Sequence, residues 1–187
     1  MVFHYLDRFF AALAAASREG VPARELFYAA FDREDVGRGG DFERLYPELR
    51  EKAGLRWSRD QFRMAWNDIF EPNPPMVEFV RRLPHPRVLL SNTHEPHVTW
   101  IKTRFPDVFP LFDHHVLSHE VGKAKPDPEI FRWVESLTRA APAEHVFVDD
   151  LEHNVAAARA VGWQGVLFIG VEDCRARLAA LGVTAGG

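Results

Sequence analysis

Cysteine is nearly missing from this chain: Cys174 stands alone among 187 residues. A single thiol excludes an intramolecular disulfide and a cysteine-based zinc site, and it suits a reducing cytoplasm. Excess positive charge is missing too. Lys and Arg number 23 against 27 Asp and Glu, giving a formal net charge of −4. No basic stripe runs along any segment, so a nucleic-acid partner is not expected. Arg81-Arg82 and Arg175/Arg177 fall on helix-like stretches and read as solvated faces. No apolar run is long enough to cross a bilayer, so no membrane partner is expected. The stretch Phe9–Ser17 ends in small residues like a signal-peptide cleavage site, but Asp7 and Arg8 precede it and no basic segment does. Leu6, Phe9, Phe10, Leu13 and Ala16 follow the spacing of an amphipathic helix. What remains is 47% apolar and 27% charged, enough for one domain with a real core and a small appended subdomain.

Two textures divide the chain. Residues 1–18 read as a helix leading into a helical segment over 19–70, with helix-like runs near 22–31, 41–53 and 58–69. Gly20-Val21-Pro22, Gly37-Arg38-Gly39-Gly40 and Gly54 separate them. Ser58 with Gln61 three residues on has the form of a capping box. Nothing in this half alternates like a strand. From Glu71 to the end, short apolar runs alternate with helical patterns. Arg87–Leu90, His115–Leu117, His145–Val148 and Val166–Ile169 read as strands. Asp127-Pro128 opens one of the intervening helices and Gly162 closes another. Such alternation predicts an α/β parallel sheet covered on both faces.

Ligands of open parallel sheets sit beyond the carboxyl ends of the strands. After the first strand stand Ser91 and Asn92, at the start of a helix whose free N–H groups suit an anionic oxygen. After the third stand Asp149 and Asp150. Two carboxylates at 4 Å repel by about 4 kcal/mol at an effective dielectric of 20, so a partly buried pair calls for a cation. Oxygen donors favour magnesium over zinc. Between these points runs Gly122-Lys123-Ala124-Lys125-Pro126-Asp127-Pro128, where the proline holds Lys125 extended. Each piece has a plainer use: a turn, a helix cap, a helix start. In this order, each after a strand, they become specific.

Leu89-Leu90-Ser91-Asn92-Thr93, then Gly122 and Lys125-Pro126-Asp127-Pro128-Glu129-Ile130-Phe131, then Val146-Phe147-Val148-Asp149-Asp150 with Asn154, resemble three of the four motifs of the haloacid dehalogenase-like hydrolases. The glucose-1-phosphate phosphatase-like group and the phosphatase domain of some epoxide hydrolases look most similar. The resemblance implies a three-layer Rossmann-like core over 71–187 with a small helical cap. It implies a magnesium-dependent phosphatase acting on a small phosphorylated metabolite through an aspartyl-phosphate. Ser91 and Asn92 would hold the phosphoryl group, Lys125 would neutralise nucleophile and phosphate, and Asp150 would bind Mg²⁺. Asp149 would support Asp150, and Asn154 would organise the metal loop. Family members open with a strand ending in Asp-x-Asp, whose first aspartate attacks phosphorus. That motif is not in this sequence, and Asp7, inside the first helix, is not its equivalent. The resemblance therefore implies that the central strand is missing, that the true start lies upstream, and that the chain as written is inactive. A non-catalytic protein that binds phosphate esters is the alternative; a haloacid dehalogenase has little use for the Asp149-Asp150 pair. The histidines, His94 with His97 and His114, His115 and His119, show no diagnostic metal spacing. Trp57, Trp66, Trp100, Trp133 and Trp163 read mostly as core or cap packing, with Trp66 also a candidate substrate contact on the cap side.

Overall fold

The computed structural model describes residues 2–4, 6–34 and 45–186, in two compact units. The first comprises residues 1–73 and 93–108, the second 74–92 and 109–187. In the first unit the elements are β1 (Val2–His4), α1 (Leu6–Ala16), α2 (Ala23–Glu34), α3 (Leu45–Lys52), α4 (Arg59–Asn67) and β2 (Phe70–Pro72). The helix α6 (Glu95–Arg104) also belongs to this unit. The amphipathic reading of the first helix holds: Phe9, Phe10, Leu13 and Ala16 are buried on one face of α1. They meet Ala23, Phe27, Leu45, Leu49, Phe62 and Trp66 in one core. The Phe9 ring lies edge-on to Phe10 and Phe27 at 5.3 Å and to Trp66 at 5.0 Å, geometry favoured by the ring quadrupoles. Ser58 and Gln61 close the expected capping box at the start of α4.

Two features of this unit depart from the sequence reading. β1 and β2 pair antiparallel, Val2 opposite Pro72 and His4 opposite Phe70, where only helix was expected. Three residues are too few to display a period of two. The helix expected over 41–53 is described from Leu45 onward; residues 41–44 and the Gly37–Gly40 break lie outside the described residues.

The second unit is Rossmann-like α/β. It runs α5 (Pro74–Arg81), β3 (Val88–Ser91), β4 (His114–Leu117), α7 (Ser118–Val121), α8 (Pro128–Thr138), β5 (Val146–Asp149), α9 (Glu152–Ala160), β6 (Gln164–Leu167) and α10 (Val171–Ala180). Asp127 caps α8 through the Glu129 N–H, as Asp-Pro at a helix start predicts. The last strand begins at Gln164 and ends at Leu167, two residues before the apolar run that marked it. The core joins Val116, Ile130, Phe131, Val134, Phe147, Ala158 and Trp163, with Val88 and Leu90 packed against it.

The strands form two parallel pairs: β3 with β4, Ser91 opposite Leu117, and β5 with β6, Asp149 opposite Leu167. Among the described residues no ladder joins β3 to β5. Their carboxyl ends nevertheless meet. The Lys125 ammonium donates to the Leu90 carbonyl near the end of β3 and to the Asp149 carboxylate at the end of β5. The position implied for a middle strand, between these two, holds no strand among the described residues.

Candidate functional site

The six motif residues Ser91, Asn92, Lys125, Asp149, Asp150 and Asn154 belong to the second unit, and four of them form one hydrogen-bonded chain. Lys125 Nζ reaches Asp149 Oδ2 at 2.7 Å and the Leu90 carbonyl at 3.1 Å. The other carboxylate oxygen of Asp149 accepts from Asn154 Nδ2 at 3.0 Å and from the Leu151 N–H at 2.9 Å. On the opposite side, Asn92 Nδ2 donates to the Lys125 carbonyl at 2.7 Å, and the Lys125 N–H donates back to Asn92 Oδ1 at 2.8 Å. The Lys125-Pro126 peptide is cis.

Local sequence explains each placement. Asp149 ends β5, and its side chain accepts from the N–H two residues on, an Asx-turn that leads the chain out of the strand. Asn154 lies on the buried face of α9, 2% exposed. Gly165 in β6 allows α9 its close approach, since a Cβ there would stand 2.8 Å from Val155 Cγ1 and 2.9 Å from the Val155 carbonyl oxygen. Gly122, at φ +66°, ends α7 in the left-handed region and starts the loop to Lys125.

The electrostatics turn on Asp149. Burial is the largest single influence and pushes its pKa up. The Lys125 charge and hydrogen bond, the Leu151 N–H and the Asn154 amide together outweigh it, so the carboxyl titrates below its ordinary value. The cation that two neighbouring aspartates demand is thus supplied to Asp149 by Lys125. Asp150 is different: exposed, its carboxylate has no hydrogen bond or ion pair among the described residues. The Ser91 hydroxyl has none either, and Asn154 Oδ1 is buried without a hydrogen-bond partner. Free oxygens and no nitrogen or sulfur donor suit magnesium, which takes one or two carboxylates and completes its shell with water and phosphate.

Other expectations resolve differently. Asn92, expected to hold a phosphoryl group, spends both ends of its amide on the backbone of Lys125. Trp66 is not an exposed contact: it is 5% exposed in the core of the first unit, with Nε1 donating to His94 Nε2 at 3.0 Å. The His94 and His97 rings lie 3.9 Å apart, tilted by 33°, and His97 Nε2 bonds the Trp66 carbonyl at 3.2 Å. No three His, Cys, Asp or Glu side chains gather as a metal site among the described residues. Asp7 pairs with Arg24 at 3.3 Å on the surface of the first unit. The Leu90 carbonyl is a member of the site that the sequence did not mark, because a backbone acceptor leaves no signature in residue type.

Lys125 and Asp149 meet at the carboxyl ends of parallel strands in an α/β protein, where such sheets place their ligand sites. The match to known proteins makes this specific: residues 5–162 fit the haloacid dehalogenase-like hydrolase family, and the chain belongs to it. It is 25% identical over 125 residues to D-ribitol-5-phosphate phosphatase of Bacteroides thetaiotaomicron, covering 63% of this chain and 61% of that enzyme. It is 32% identical over 121 residues to an uncharacterized protein of Saccharomyces cerevisiae, 54% of this chain and 39% of that one. The chain thus spans less than two thirds of these relatives. Among solved structures, a magnesium complex of a haloacid dehalogenase family enzyme from Bacteroides thetaiotaomicron superposes with a TM-score of 0.73 at 25% identity, over 90% of this chain and 87% of that one.

Proposed function

We propose that this chain carries the site of a magnesium-dependent phosphatase for a small phosphorylated metabolite. The observation that carries the reading is the Lys125 ammonium, held by Asp149 at 2.7 Å and by the Leu90 carbonyl at 3.1 Å at the ends of two parallel strands. Ser91, the next residue after Leu90, offers an uncommitted hydroxyl at the end of β3. Lys125 offsets the charge of the phosphoryl group and Ser91 donates to one of its oxygens. Asp150 supplies the uncommitted carboxylate for Mg²⁺, and Asp149 and Asn154 fix the loop that presents it. Bound there, Mg²⁺ would neutralise phosphoryl charge as the ester bond breaks. The similarity to D-ribitol-5-phosphate phosphatase supports a polyol or sugar phosphate as substrate class.

Asp149 is the one carboxylate within ion-pair distance of Lys125 among the described residues, and both of its oxygens are engaged. The family's aspartyl-phosphate needs a further, free carboxylate. Among the described residues the site therefore holds phosphate with no free carboxylate paired to Lys125 to attack it. The test measures, on this polypeptide, Mg²⁺-dependent binding of inorganic phosphate and phosphate release from D-ribitol 5-phosphate. Binding without release is expected. No binding in Mg²⁺, or turnover of the ester, would overturn the reading.

A further inference from the structure

We propose that Asn92 is a positioning residue, acting on the bound anion through Lys125 and not through a contact of its own; this rests on the phosphate-binding reading above. The Asn92 amide meets the Lys125 backbone as a neighbouring peptide would. It gives a donor to the carbonyl at 2.7 Å and an acceptor to the N–H at 2.8 Å, across 33 residues of sequence. Two residues earlier, the Leu90 carbonyl takes the tip of the same lysine at 3.1 Å. One short segment, residues 90–92, thus grips Lys125 at its backbone and at its ammonium. Asp149 takes the ammonium from the other side at 2.7 Å.

An anion-binding lysine is effective when its charge is already in place before the ligand arrives. A long, flexible lysine reaches that state only when both ends are fixed. Asn fits the backbone half of this task, since its planar amide carries one donor and one acceptor side by side. Aspartate offers acceptors alone and would face the Lys125 carbonyl with like charge. Serine is too short to span both groups.

A double-mutant cycle with inorganic phosphate in MgCl₂ separates the two roles. Expected is a loss of affinity of about tenfold for Asn92→Ala in the native background, shrinking to under about twofold in a Lys125→Met background, because the two act as one unit. Equal losses in both backgrounds would make Asn92 a direct ligand and overturn the proposal. A second readout needs no ligand: the ¹⁵N resonance of the Lys125 ammonium. Asn92→Ala shifts or broadens it if the clamp positions the side chain, and an unchanged resonance overturns the proposal. Should Asn92→Ala not fold, Asn92→Asp keeps the size and one acceptor, loses the donor, and is expected to move the same resonance. If the unaltered protein binds no phosphate, the functional reading fails while the ammonium resonance still decides the role of Asn92.

Discussion

Lys125 and Asp149 form the most enclosed ion pair among the described residues, Nζ to Oδ2 at 2.7 Å with side chains 10% and 7% exposed. The other ion pairs lie at the surface and contribute little. An enclosed pair behaves differently, since removing one partner strands the other. Lys125→Met should cost about 3 kcal/mol of stability. It should also let burial raise the Asp149 pKa, now unopposed by the lysine. Urea unfolding at neutral pH checks the first effect. A loss below about 1 kcal/mol, the range of exposed pairs, would show that the pair is more solvated than its contacts imply.

Asp113 provides the acid-sensitive contact. Its Oδ2 accepts from the Arg87 N–H at 2.7 Å, just before β3 and β4 begin, and Arg87 Nε lies 3.6 Å away. The Arg87 backbone bond is the leading cause of a lowered pKa, with the Arg87 charge helping against slight desolvation. A depressed folded value means the stabilisation is complete above the unfolded value of about 4 and is lost as pH falls through the folded value. The urea midpoint of the native chain should therefore exceed that of Asp113→Ala by a constant margin above about pH 5, with the margin shrinking as pH falls through the lowered folded value. A margin independent of pH would contradict the assignment.

Gly165 holds α9 close to β6, and α9 carries Asn154. In Gly165→Ala the new methyl meets Val155 Cγ1 at 2.8 Å, the Val155 carbonyl oxygen at 2.9 Å and Arg159 Cγ at 3.0 Å. Backbone cannot yield cheaply, so a cost of about 1–3 kcal/mol is expected in thermal or urea unfolding. An unchanged midpoint would mean that α9 shifts outward freely.

How much of this was legible beforehand depended on whether the signal lay in residue type or in partner choice. The Asp127-Pro128 helix start, the Ser58/Gln61 capping box and the α1 apolar stripe were legible because each is a local pattern with a local cause. Lys125, Asp149 and Asn154 were marked by motif, and the structure joins them in one hydrogen-bonded chain. Asn92 was marked too, but its partner was not, since an amide gives no hint whether it will face a ligand or a peptide. Trp66 is read as packing or as a ligand contact because residue type alone does not mark burial; its core partners come from α1 and α2, distant in sequence. The β1–β2 pair was invisible for want of length.

The facing edges of β3 and β5 carry the last prediction. Among the described residues each strand pairs on one side only. Both are apolar, Val88-Leu89-Leu90 and Val146-Phe147-Val148, and Val148 is 36% exposed. Unpaired N–H and C=O groups on apolar strands form a template for pairing with another chain. The lysine between them protects only the carboxyl ends, where Nζ occupies the Leu90 carbonyl. The 187-residue polypeptide should therefore associate as its concentration rises, seen as growing light scattering at neutral pH. Val148→Lys places a charge beside the open edge of β5 and should suppress the association without touching Lys125, Asp149 or Asn154. Scattering that stays at the monomer value across the range would mean that the edges are closed to solvent, and the absence of a ladder between β3 and β5 would then carry no consequence for association.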